Sequence, residues 1–121
     1  MLLLKFSGQA DAAIDGPTTS FLADLGAYAT APTISTAQAY PVGAAFVANT
    51  LTARAAALGA GEEIEVTLLR NGLDTGLTLT LTSALLTDTI STPEPYEAGD
   101  TFDLRTESSA AADVPIVVTV Q

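Results

Sequence analysis

From Glu62 to Thr82 the chain alternates with a period of two. Ile64, Val66 and Leu68 fall on one face and Glu63, Glu65 and Thr67 on the other; beyond Asn71-Gly72, leucines at 77, 79 and 81 alternate with threonines at 78, 80 and 82. Successive side chains of a strand point to opposite sides. The pattern therefore predicts two half-buried strands, leucine inward and β-branched threonine on a wet, pleated face. Asn71-Gly72 supplies the positive φ values of a tight turn, and Gly76 offers another such position, which leaves the form of the connection open.

The same period returns further on. Ala98-Gly99-Asp100 reads as a turn into Thr101-Phe102-Asp103-Leu104-Arg105, with Phe102 and Leu104 inward, and Ile116, Val118 and Val120 form a last strand before Gln121. Between them, Pro93 and Pro95 interrupt pairing and make residues 87–98 mainly loop or edge. Glu107 to Asp113 reads as a polar loop. Nearer the N-terminus, Leu2 to Phe6 alternates weakly, as an edge strand or an N-terminal arm. Residues 8–20 are turn-rich, Phe21 to Asp24 reads as a short buried element, and residues 29–43, with Pro32, Pro41 and Gly43, read as short strands and loops. Residues 44–58 are compatible with either helix or strand. Ala, Leu and Arg favour a helix, whereas Asn49-Thr50-Leu51-Thr52 resists one, because Asn and Thr compete for backbone hydrogen bonds. As a strand, the segment sets Leu51, Ala53, Ala55 and Ala57 against Thr52, Arg54 and Ala56. Several short strands separated by turns point to an all-β sandwich or barrel.

Composition narrows the chemistry. The 121 residues suit one domain, commonly about 100–150 residues, and neither repeat nor linker divides them. Four basic residues face 14 acidic ones, a net charge of −10. Such a surface meets nucleic-acid phosphates and anionic lipid with its own sign, so neither is an expected partner. Histidine and cysteine are absent from the sequence, which removes Ser/His and Cys/His catalysis, thiolate chemistry and the commonest transition-metal ligands. No apolar run approaches the roughly 20 residues of a membrane helix. Gly59-Ala60-Gly61 precedes a strand and lacks the lysine of a phosphate loop. An enzyme is not expected, and no cofactor is implied.

Two segments carry a family pattern. "TLLRNGLDT" (67–75) and "AGDTFDLR" (98–105), together with Pro41-Val42-Gly43 and "NTLTAR" (49–54), resemble a widespread jelly-roll-like family of small β-sandwich proteins of tailed bacteriophages, and more distantly the trimeric C1q/TNF-like domains of collagen-like surface fibres. The likeness covers most of the chain and is strongest from about residue 40 onward. It implies an antiparallel β-sandwich (jelly-roll-like), and a strand rather than a helix at 49–55. In function it implies a virion structural protein. A chain that begins almost at its first strand, without a stalk, fits a capsid decoration (cement) protein: a homotrimer on the outer capsid surface, bound to the major capsid protein. The alternative is a fibre or receptor-binding domain of a phage head or tail, and a third reading is a carbohydrate-binding module.

The candidate site residues follow from these readings. With so few cations, Arg54, Arg70 and Arg105 should each meet a carboxylate, within the fold or across a subunit contact, because guanidinium pairs bidentately with carboxylate. Residues 1–15 form a possible N-terminal arm for anchoring on a shell, with Leu2, Leu3, Leu4, Lys5 and Phe6 as its contact residues. Glu62, Glu63 and Glu65 have the oxygen chemistry of a Ca²⁺ site, but alternation turns Glu62 away from Glu63, which favours a solvated strand face. Asp100 reads as a turn residue accepting backbone N–H groups, and Asp74 likewise. Tyr28, Tyr40 and Tyr96 are the residues a sugar platform would use; Tyr96, beside Pro95, reads rather as packing.

Overall fold

The computed structural model describes residues 4–10, 18–21, 23–24 and 40–121. Ten strands occur among them: β1 (Leu4–Ala10), β2 (Thr18–Phe21), β3 (Ala23–Asp24), β4 (Tyr40–Pro41), β5 (Phe46–Ala55), β6 (Glu63–Arg70), β7 (Leu73–Thr82), β8 (Thr87–Tyr96), β9 (Thr101–Ser108) and β10 (Val114–Val120). All pairings are antiparallel. One sheet, here sheet A, has the order β3-β1-β10-β5-β8; in the other, sheet B, the order is β2-β9-β6-β7, with β4 also on β9.

The topology follows from one long folded ribbon. The ribbon pairs β1 with β10, β2 and β4 with β9, β5 with β8, and β6 with β7. Winding it brings β10 against β5 and β9 against β6, which completes the two sheets. This is a jelly roll, whose two stacked sheets each mix early and late strands. The ribbon's innermost turn is Asn71-Gly72, with φ of 52° and 79°. Two consecutive positive φ values give the mirror-image turn that matches strand twist, and Arg70 pairs with Leu73 directly across it. The connection is therefore a two-residue turn. Gly76 lies instead in an irregularity of β7 between Asp74 and Thr78, where the Thr75 hydroxyl donates to Leu68 O at 2.7 Å and accepts from Leu77 N–H at 3.1 Å.

Alternation sets the core. Leu51, Ala53 and Ala55 of β5 and Ile116, Val118 and Val120 of β10 meet Ile64, Val66 and Leu68 of β6, Leu77, Leu79 and Leu81 of β7, and Leu104 of β9, all buried. Residues 46–55 form a strand, as the resemblance implied. Ala57 lies beyond that strand's end and is exposed. Of the two readings of residues 87–98, edge holds rather than loop: Thr87–Tyr96 form a full-length strand at the free edge of sheet A, where proline is tolerated. Likewise β9 runs on to Ser108, into the segment read as loop.

Because inward positions carry the stability, Leu51→Ala should cost about 2–5 kcal/mol. Val117→Ala, on the exposed face of β10, should stay within about 0.5 kcal/mol. Urea unfolding followed by circular dichroism checks both.

Candidate functional site

Residues 67–75 and 98–105 meet at one end of the sandwich. Asp100 closes the turn after β8: its Oδ2 accepts from Glu97 N–H at 2.8 Å and from Arg70 Nε at 2.9 Å, and its Oδ1 accepts from Asn71 Nδ2 at 2.9 Å. Asn71 Oδ1 in turn accepts from Thr101 N–H at 2.9 Å. These bonds hold the Asp100 carboxyl below its usual range, the Glu97 N–H contributing most and Asn71 next. Val42 joins the same end through its backbone, donating to Asp100 O and accepting from Gly99 N–H.

Arg70 caps this end from between the sheets. Its guanidinium lies 6.0 Å from the Tyr96 ring centroid and 3.9 Å from Glu94. Beneath it, Tyr96 stacks on Phe46 at 5.0 Å, and Phe102 meets both rings edge-on at 6.3 Å. The Tyr96 hydroxyl donates to Leu69 O at 2.9 Å, and burial pushes its pKa up. Tyr96 is thus a core residue, with no face free to stack on a sugar. The side chains of Tyr28 and Tyr40 lie outside the described residues.

A second contact joins the same segments on the outer face of sheet B. Arg105 grips Asp74 bidentately, at 2.7 and 3.0 Å, with Glu107 at 3.7 Å. The Arg105 hydrogen bonds lower the Asp74 pKa. Arg70 and Arg105 therefore meet carboxylates within the fold. Arg54 differs: it is exposed on β5 and has no ion pair among the described residues. Glu62 reaches across loops, accepting from Gly59 N–H at 2.6 Å and Ala111 N–H at 2.5 Å. Glu63 is exposed and Glu65 half-buried. Among the described residues, no three metal-ligating side chains cluster.

The anchoring segment has a definite place in part. Leu4, Lys5 and Phe6 belong to β1, opposite Val120, Thr119 and Val118. This strand lies inside sheet A, flanked by β3 at Phe6 and Ser7. Leu2, Leu3 and residues 11–15 lie outside the described residues.

From the sequence Asp103 was only an outward strand position, on the opposite face from Asp100. It sits on the outward side of β9, yet it is fully buried, as are Leu69 beside it and Thr67 one step along β6. Its Oδ1 accepts from Leu104 N–H at 2.8 Å, while Oδ2 has no partner among the described residues. Desolvation raises the carboxyl to about 6. The one sequence signal was Leu68-Leu69, where a leucine breaks the alternation on the outward side.

The two outer faces differ in charge. On sheet A, the described outward positions include Val47, Thr50, Thr52 and Arg54 of β5, Pro115, Val117 and Thr119 of β10, Thr87, Thr89, Ser91, Pro93 and Pro95 of β8, and by register Lys5, Ser7 and Gln9 of β1. None is a carboxylate. Thr52 and Thr89 hydroxyls join across the strands at 3.0 Å, and Val47 and Val117 are about half exposed, at 48% and 52%. On sheet B, the outward positions include Glu63, Glu65, Asp74, Asp103 and Glu107, with Arg105 the one cation among those described. No protein-family model matches the chain, and no curated protein matches it.

Two outcomes follow. Asp100→Ala removes the acceptor of three donors and should lower the thermal midpoint more than Asp74→Ala, an exposed pair worth about 0–1 kcal/mol; thermal melts of both variants rank them. Asp103 should give stability an unusual slope. Its folded pKa, about 6, exceeds the ordinary 3.8, so between these values the folded chain holds a proton that the unfolded chain has released. Stability from this group is greatest below the ordinary value and falls as pH rises through about 6. Asp103→Asn should remove that slope and add about 1–2 kcal/mol at neutral pH, read from urea midpoints across pH.

Proposed function

We propose that the chain is a non-enzymatic virion structural protein of a tailed bacteriophage: a decoration protein that sits as a homotrimer on the outer capsid surface, against the major capsid protein. One observation carries the reading, the separation of charge between the two outer faces. On a chain of net charge −10, a face whose described positions carry no carboxylate can approach another protein without opposing like charges. Exposed valines, prolines and short hydroxyl side chains suit such a face, since interface centres are depleted of charge and enriched in arginine. Arg54, a cation of that face, is available to a carboxylate of a neighbour. Of the carboxylates on sheet B, Glu63 and Asp74 stay in water, where such charge limits self-association.

The jelly-roll fold supports the reading only as architecture, because one fold hosts many functions. The docking face is the more specific support, and it can be tested directly. Quantitative mass spectrometry of purified particles should find this chain in a simple ratio to the major capsid protein. A handful of copies would move the assignment to a fibre or tail tip, and absence would remove it. Val117→Asp, on the outer face of sheet A beside Arg54, should abolish binding to chain-free particles in a co-sedimentation assay. Thr80→Asp, on sheet B, should leave binding intact.

A further inference from the structure

Asn71 and Gly72 form the β6–β7 turn, and both are exposed. An asparagine followed by glycine can modify itself, because no side chain shields the glycine nitrogen. The Gly72 amide nitrogen loses its proton and attacks Cγ of Asn71. The N–Cγ bond forms, the Cγ–Nδ2 bond breaks, and Nδ2 leaves with a proton as ammonia. Water then opens the five-membered imide at either carbonyl. The product is an aspartate at position 71, or its isoaspartyl isomer with one extra backbone methylene in the turn.

The structure opposes the first step. Asn71 is held by its two amide atoms, Nδ2 on Asp100 Oδ1 and Oδ1 on Thr101 N–H, each at 2.9 Å. Both bonds must break before Cγ can swing to the Gly72 nitrogen. Asp100 cannot readily follow the side chain, since Arg70 and the Glu97 N–H hold its other oxygen. Once the reaction has occurred, the same geometry works in reverse. A carboxylate would replace the donor now 2.9 Å from Asp100 Oδ1, and two carboxylates at that distance cannot both stay ionised without strain. We propose that Asn71 is a latent self-modification site, kept intact by Asp100, whose conversion to a carboxylate opens the contact between the β6–β7 turn and the 97–100 turn.

The test follows the full-length chain at mildly alkaline pH, by intact mass and by isoaspartyl peptide mapping. Asp100→Ala, and the wild type held in urea, should convert at residue 71 roughly ten- to a hundredfold faster than the folded wild type, the rate equivalent of a lost charge-assisted hydrogen bond. Equal rates in the folded wild type and in urea overturn the protection; that comparison requires no variant to fold. Asn71→Asp tests the second half. It should melt below the wild type at neutral pH, and the gap should close as pH falls through the carboxylate range, where one of the pair takes up a proton. A gap unchanged by pH, or no gap at all, overturns the opening of the contact.

Discussion

Every part of this sandwich depends on strand parity. Each strand gives one face to the interior and the other to water, so a slip of one residue would exchange leucine for threonine along its length. For β7 that means exposing Leu77, Leu79 and Leu81, now buried, at about 25 cal/mol for each Å² of apolar surface. The cost fixes the register, and the register places everything else. It puts Arg70 between the sheets, Arg105 on the outer face of sheet B and Arg54 on the outer face of sheet A, three arginines with three different fates.

Residues 67–75 and 98–105, which carried the resemblance read from the sequence, are used up in holding one end of the molecule together. Arg70 and Asn71 meet Asp100 and Thr101, and Asp74 meets Arg105. A pattern built from mutually bonded residues reports how the ribbon closes. It says nothing of the outer face of sheet A, which takes no part in those bonds. This explains why the pattern speaks clearly about architecture and only indirectly about role.

Legibility in the sequence followed the same division. Where one face is dry and one wet, as in β6, β7 and β10, period two made the strands plain. The turn after β8 was equally plain, since Gly99 and Asp100 have the chemistry that it requires. β8 was left between loop and edge, because proline vetoes only a strand paired on both sides. The Arg70 and Arg105 partners are about 30 residues away along the chain, a separation that only the winding of the ribbon closes. The burial of Asp103 was not legible because it occupies an outward position; the doubled leucine at 68 and 69 was a hint that part of this face is covered.

The placement of β10 has a consequence for the order of assembly. It lies between β1 and β5 in sheet A, so the first strand and the fifth have no common neighbour until the last strand arrives. β5 through β9 can pair with one another earlier, by shorter loops that cost less entropy to close. During synthesis, β1 must therefore wait with its hydrogen-bonding edge unfilled while nearly the whole chain emerges. Folding should be slow for a protein of this size, as long-range pairing requires, and the interval before β10 docks is when exposed strand edges of neighbouring chains are most able to pair wrongly.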